Sequence, residues 1–124
     1  PCYPGTGRAL ETGADAGKGY TINCPFASGS GAREILGAFR ERLVPAMKEF
    51  KPGFVVVSAG FDGMDGDLLG GFRLTAADFS ELTGILMDVA EEYAGGRLVS
   101  VLEGGYFLPG LAATAGAHVR RLAG

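Results

Sequence analysis

Apolar residues recur with helical spacing in three stretches of the chain, and each stretch predicts a helix. The first runs from Arg33 to Phe50, with Ser30 as its capping residue, and Pro45 is expected to kink or tighten the helix. The second covers residues 75–93 and begins at a threonine, which favours capping of a helix N-terminus. The third covers residues 109–122 and starts with a proline, a residue that suits the first helical turn.

Three shorter segments have the composition of strands. Residues 20–26 combine β-favouring residues with a closing proline, which predicts a short strand. The runs Phe54–Val57 and Leu98–Leu102 are continuous and apolar, as expected of strands buried on both faces. Because a helix separates these two runs, they are expected to pair in parallel within a right-handed β-α-β unit. The predicted fold class is α/β, with a three-layer α/β/α arrangement around a mainly parallel sheet.

One chemically capable side chain follows each of the two continuous strands. Asp62 comes after the first strand and Tyr106 after the second. Ligands of open parallel sheets bind just outside the carboxyl ends of the strands, so both side chains are expected at one edge. Taken singly, such an aspartate often forms a turn or a cap, and such a tyrosine is often a packed aromatic. Their shared position nevertheless favours a site.

Composition limits the classes of function. The chain has 124 residues with 47% hydrophobic residues and a net charge of −3, so no electrostatic surface for nucleic acid or membrane is expected. No apolar run approaches the ~20 residues that span a bilayer. The cysteines Cys2 and Cys24 lack metal-site spacing and are expected to be reduced thiols in a cytoplasmic protein. The first residue is Pro1 rather than Met, which suggests that an upstream part is missing.

Several ordered motifs resemble the end of a histone-deacetylase-like domain, nearest to its class II and bacterial amidohydrolase branch, which includes acetylpolyamine and acetoin-utilisation types. The motifs are YPGTG at 3–7, YTINCP at 20–25, SAGFD at 58–62, GD at 66–67, LGG at 69–71 and LEGGY at 102–106. The resemblance covers essentially the whole chain and implies that residues 1–124 are the C-terminal portion of a single arginase/deacetylase-like catalytic domain. Leu68 departs from the pattern, since a proline is usual there.

The resemblance also implies roles for individual residues. Asp62 matches the family's C-terminal zinc-ligand aspartate, and Tyr106 matches the tyrosine that hydrogen-bonds the substrate carbonyl. Tyr3 matches an aromatic wall of the acyl-lysine tunnel. Gly104 and Gly105 match glycines that let the backbone approach the acyl group. The implied cofactor is Zn²⁺, which in a site with an open position activates water for attack on an amide carbonyl.

Other residues receive weaker or structural interpretations. By the same resemblance, the backbone carbonyl of Tyr20 matches a position that binds a monovalent cation, which would make K⁺ a structural ion. His118 is the single histidine and is interpreted as a surface or helix-end residue. Asp65 and Asp67 are expected to shape their loop by hydrogen bonds rather than to bind metal. Glu103 is expected to orient the adjoining Gly-Gly turn.

The implied function is zinc-dependent hydrolysis of an acyl-amide, with acetyl-lysine, acetylpolyamine or a similar acylated amine as substrate. The family's remaining ligands and its histidine base do not occur in this chain, so the chain alone is expected to be inactive. The first alternative is a catalytically incomplete fragment that acts as a structural or binding module. Nucleotide binding by the glycine-rich loops is disfavoured, because no phosphate-binding motif occurs and the loop 62–67 is acidic. The acyl substrate and the presence of a homo-oligomer are left open.

Overall fold

The structure is a computed structural model that describes residues 3–124, so the prediction for Cys2 lies outside the described residues. Among the described residues, no helix is long and apolar enough to cross a membrane. The elements are a 3₁₀ turn at Asp15–Gly17, α1 at Ala32–Ala38, a π-helical turn at Phe39–Leu43, α2 at Val44–Phe50, β1 at Val55–Ala59, α3 at Ala76–Ala94, β2 at Leu98–Leu102 and α4 at Leu108–Ala123.

The two strands pair in parallel, which confirms the predicted β-α-β unit. The register runs from Val55 opposite Leu98 to Ala59 opposite Leu102, with α3 as the crossover. Parallel pairing brings the carboxyl ends of β1 and β2 to one edge of the sheet. The segments that follow the strands, each with one predicted site residue, therefore start side by side.

Helices cover one face of this sheet. α3 and α4 pack extensively against each other, and both reach the same strand residue, Ser100 of β2, through a shared hydrogen-bond network. On the opposite face, Val56 is 68% exposed and Val101 is 51% exposed. Burial of both faces, predicted from the continuous apolar runs, is thus not observed among residues 3–124. The parallel sheet packed against helices confirms the predicted α/β class.

The hydrophobic core lies between α1, α3 and the end of β1. Its buried members are Ile35, Leu36, Ala59, Phe61, Leu74, Phe79 and Leu82. Phe61 immediately precedes Asp62, so the segment that carries the predicted ligand is anchored directly in the core.

The predicted helix at 33–50 is interrupted by the π-helical turn between α1 and α2. Pro45 lies in the first turn of α2, where its missing N–H and its ring disfavour a regular bond to the preceding turn. The wider turn accommodates this proline, so the helix responds with a π-bulge, and the tightening offered as one expectation is wrong. α2 then ends at Lys51, which adopts a left-handed conformation with φ of 54°.

The cap of α1 differs from the prediction. Gly31 rather than Ser30 is the N-cap residue, and its backbone N–H donates to Glu34 Oε2 at 3.0 Å. This hydrogen bond is the main cause that lowers the pKa of the Glu34 carboxyl. The carboxylate thus satisfies a backbone donor at the positive end of the helix.

The prediction of a strand at residues 20–26 was wrong. This segment has no regular secondary structure, and its hydrogen bonds go to the preceding loop and to Arg42 rather than to a strand. Asn23 Nδ2 donates to the carbonyl oxygens of Arg8, at 3.1 Å, and Glu11, at 2.9 Å. β-favouring residues form a strand only beside a pairing partner, and none lies alongside this segment in the described part of the chain.

Candidate functional site

Asp62 is surrounded by glycines that leave room for it. A Cβ atom at Gly104 would lie 2.7 Å from Asp62 Oδ2, and one at Gly60 would lie 3.0 Å from Asp62 Oδ1. A Cβ atom at Gly70 would overlap the backbone carbonyl oxygen of Asp62. A side chain at Gly70 would displace the backbone of Asp62, and one at Gly104 would displace its carboxylate, so both positions require glycine for the observed placement of Asp62.

The loops after β1 and β2 are joined directly behind Asp62. The backbone N–H of Phe61 donates to the carbonyl oxygen of Gly104 at 2.9 Å. Gly105 adopts φ of 125°, and a Cβ there would lie 3.2 Å from Phe61 Cβ. Because Phe61 is only 4% exposed, it fixes the Gly-Gly turn against the core.

Glu103 does not orient this turn through its side chain as predicted. The side chain is exposed and makes no hydrogen bond to a described residue, whereas the backbone N–H donates to the Ala59 carbonyl at 3.0 Å. The turn is therefore positioned by backbone pairing that continues past the end of β2.

A cleft of about 770 Å³ lies over Asp62. Its wall is mostly apolar and includes Phe26, Phe72 and Leu74. Tyr3 lines the same cleft, and its side chain is 99% exposed. The structure therefore places two of the predicted site residues, Asp62 and Tyr3, on one concave surface.

Tyr106 lies near this cleft but does not line it. Its side chain is 61% exposed, and its backbone N–H donates to Asp67 Oδ2 at 3.1 Å. Asp67 Oδ1 accepts the N–H groups of Leu69 at 2.9 Å and Gly70 at 3.1 Å. These bonds, with that from Leu69 first, lower the pKa of the Asp67 carboxyl. The loop-shaping role expected of Asp67 is observed.

Asp65 differs from Asp67 although both lie in the same acidic loop. The Asp65 side chain is exposed and accepts no hydrogen bond from a described residue. Only its backbone N–H contributes, by donating to the Leu74 carbonyl at 2.9 Å. The loop-shaping role predicted for the Asp65 carboxylate is therefore not observed.

The Tyr20 segment lies beside α2 rather than at the Asp62 cleft. The ring of Tyr20 is 70% exposed and meets the ring of Phe50 edge-on at a centroid distance of 6.0 Å. With Met47 and Ile22 these rings line an open groove of about 680 Å³. Cation binding by the Tyr20 carbonyl stays a prediction.

The described residues supply only part of a zinc site. Zinc in proteins takes three or four protein ligands, and the part of the chain from residue 3 onward holds no cluster of three candidate ligands. Asp62 fits as one ligand, because its carboxylate faces the cleft and accepts no hydrogen bond from the described residues. The remaining ligands would have to come from other segments.

His118 is not the surface residue that the sequence predicted. It is 7% exposed, with Thr83 Oγ1 at 2.7 Å from Nδ1 and Ser100 Oγ at 2.8 Å from Nε2. Its ring also meets the ring of Phe61 at a centroid distance of 5.5 Å. Burial lowers the pKa of His118 below its ordinary value. The imidazole thus ties α3, β2 and α4 together behind the site.

A sequence signal for this burial existed. Gly110, Thr114 and His118 are spaced four residues apart, and all three are buried on one face of α4. Because glycine, threonine and histidine are not apolar residues, their helical spacing does not form the hydrophobic stripe that predicts a buried helix face.

Comparison with known proteins identifies relatives over nearly the whole chain. A family model described as histone deacetylase domain matches residues 1–122. Histone deacetylase 15 of Arabidopsis thaliana is 41% identical over 98% of this chain and 22% of its own length. A probable deacetylase of Archaeoglobus fulgidus is 41% identical over 89% of this chain and 31% of its own length.

Two further matches agree with these. The histone deacetylase-like amidohydrolase of Pseudomonas aeruginosa is 39% identical over 85% of this chain and 28% of its own length. The crystal structure of the HDA15 HD domain superimposes with a TM-score of 0.90 at 40% identity and covers 97% of this chain and 33% of that one. The chain therefore spans only a fifth to a third of these relatives.

Proposed function

Because this chain belongs to the histone deacetylase family, we propose that it contributes to zinc-dependent hydrolysis of an acylated amine, such as acetyl-lysine or acetylpolyamine. The observation that carries the proposal is the meeting of two loops at one sheet edge. The carboxylate of Asp62 lies against Gly104, two residues before Tyr106, and opens onto an apolar cleft. An apolar cleft with few polar groups suits an aliphatic acyl-amine chain.

Asp62 is proposed as a zinc ligand. A carboxylate is a suitable ligand for zinc, and that of Asp62 has no competing donor among the described residues. Zinc, when bound, polarises a carbonyl and lowers the pKa of water. The glycines around Asp62 leave the space that its carboxylate occupies, and the absence of a competing hydrogen bond from a described residue leaves both oxygens available to a metal.

Tyr106 is proposed to donate its hydroxyl to the carbonyl oxygen of the substrate. A phenol donor gains strength as negative charge develops on that oxygen in the transition state. Its side chain is free to turn toward a substrate, since it is exposed and its segment is held through the backbone. Gly104 and Gly105 would let the backbone approach the acyl group, and Tyr3 would form an aromatic wall at the cleft.

The experiment uses the protein that carries this chain, purified in its longest form. Acyl-lysine and acyl-polyamine amides are assayed before chelation, after chelation, and after zinc or magnesium is returned. We expect turnover of at least one amide that disappears with chelation and returns with zinc, whereas magnesium should not restore it. Turnover that survives complete removal of metal would contradict the proposal. A metal-free, inactive protein would instead identify a structural or binding module.

Two further properties are part of the proposed function. A cytoplasmic location is expected from the use of cysteine, and a structural K⁺ is expected at the Tyr20 carbonyl from the family resemblance. Both would be checked on the same purified protein, by fractionation of cells and by the dependence of stability on K⁺ compared with Na⁺.

A further inference from the structure

We propose that Asp67 is a positioning residue for Tyr106, an inference that rests on the proposed function of this tyrosine. Asp67 lies in the loop after β1, and Tyr106 follows β2. The hydrogen bond from the Tyr106 backbone N–H to Asp67 Oδ2, at 3.1 Å, therefore joins two segments that are 39 residues apart in sequence.

The two carboxylate oxygens of Asp67 accept hydrogen bonds from different segments. Oδ1 accepts the N–H groups of Leu69 and Gly70 and closes its own loop, while Oδ2 is directed to Tyr106. All three partners are donors, and an ionised carboxylate offers only acceptors. The ionised aspartate thus matches both sides of this arrangement.

The contacts with Phe61 hold the Gly-Gly turn, and the bond to Asp67 extends this restraint to Tyr106 itself. Gly104 and Gly105 precede it, and glycine gives the backbone unusual freedom. The exposed side chain makes no hydrogen bond to a described residue. The hydrogen bond from its backbone N–H to Asp67 is therefore the polar contact that positions the backbone of Tyr106.

An asparagine at this position would separate the two sets of hydrogen bonds. Its single oxygen can keep the bonds from Leu69 and Gly70, but its NH₂ group then faces the N–H of Tyr106. Asp67→Asn is thus expected to preserve the local loop and to break the contact with Tyr106. Asp65→Asn is the matched control. It removes the same charge from the same loop, at a side chain that is exposed and makes no hydrogen bond to a described residue.

The test measures both variants in the zinc-loaded protein in its longest form. For Asp67→Asn we expect faster hydrogen exchange at the Tyr106 amide, unchanged zinc content, and a kcat lowered roughly 10-fold to 100-fold with little change in KM. For Asp65→Asn we expect wild-type values throughout. The decisive readout is a double-mutant cycle: in a Tyr106→Phe background, Asp67→Asn should lower kcat no further.

Three outcomes would overturn the inference. The first is an unchanged exchange rate at the Tyr106 amide, and the second is an equal loss of kcat with and without the tyrosine hydroxyl. The third is loss of zinc or unfolding of Asp67→Asn, which would mean a general structural role. Failure of the proposed function is recognised separately, because Tyr106→Phe alone would then keep full kcat whatever the exchange data show.

Discussion

His118 is held by hydroxyl groups at both ring nitrogens, and this determines how it can titrate. Thr83 Oγ1 already donates to the Phe79 carbonyl at 2.6 Å, so it accepts from Nδ1–H of the imidazole. Nε2 must then accept from Ser100. The neutral ring with its proton on Nδ1 satisfies every partner, and a second proton would remove the acceptor that Ser100 uses.

Acid should therefore weaken the fold through His118. Its folded-state pKa lies below the ordinary value, whereas in the unfolded chain the ring takes up a proton near pH ~6.5. The contribution to stability is complete above that pH and is lost as pH falls toward the folded-state pKa. We expect the free energy of unfolding of the protein in its longest form, measured in urea at pH 7.5 and 5.5, to fall less in His118→Gln than in wild type. Equal pH dependence of the two proteins would show that this ring does not titrate as described.

Sequence reasoning located Asp62 and Tyr106 but misplaced His118. The first two follow strands whose parallel pairing could be predicted, and family motifs surround them. Burial of His118 depends on hydroxyl partners from α3 and β2, whose arrangement around one ring follows only from packing in three dimensions. The contact between Asp67 and Tyr106 likewise depends on how two loops approach each other.

At the scale of elements, local signals predicted helices better than isolated strands. β2 has the predicted bounds, Leu98–Leu102, and α3 begins after the threonine that was expected to cap it. Capping and helical periodicity are properties of one segment, whereas a strand needs a neighbour. This explains why residues 20–26 have strand-like composition without strand structure. The response to Pro45 could be predicted only as a kink or a tightening, because the π turn depends on how the whole helix is held.

The N-terminal cap of α3 should contribute measurably to the stability of the fold. Thr75 Oγ1 accepts the N–H of Asp78 at 3.2 Å, and Asp78 Oδ2 accepts the N–H of Thr75 at 2.8 Å. Thr75→Ala should lower the free energy of unfolding by about 1 kcal/mol, because a backbone donor loses its partner. Thr75→Ser keeps the hydroxyl and serves as the control, with a loss well below that of alanine. Urea denaturation of both variants in the longest form of the protein measures the difference, and equal losses would argue against the capping bond.

In the described part of the molecule, the sheet exposes large apolar side chains on one face. Val56, Val99 and Val101 are each about half exposed or more on the face that no described helix covers. The HDA15 domain matches this chain over only 33% of its own length. Exposed β-branched residues and free strand edges favour association between chains.

Residues 1–124 expressed alone are accordingly expected to be poorly stable and to self-associate. Sedimentation at micromolar concentration should show species larger than a monomer, and unfolding should lack a single cooperative transition. Val56→Thr with Val101→Thr keeps β-propensity while it lowers the hydrophobicity of this face, and should reduce association. A monomer with cooperative unfolding in the unmodified chain would contradict this description of the open face.

Asp62 and Tyr106 lie at one sheet edge but are proposed to have different roles, so replacing each of them should cause a different kind of loss. Bound zinc by mass spectrometry and steady-state kinetics are measured for Asp62→Ala and Tyr106→Phe in the longest form of the protein. Asp62→Ala should lose zinc and lose activity in proportion. Tyr106→Phe should keep its zinc and lose about 10²–10³ in kcat, as expected for removal of a transition-state donor, with a smaller change in KM. Loss of zinc from Tyr106→Phe, or full kcat in that variant, would contradict the account.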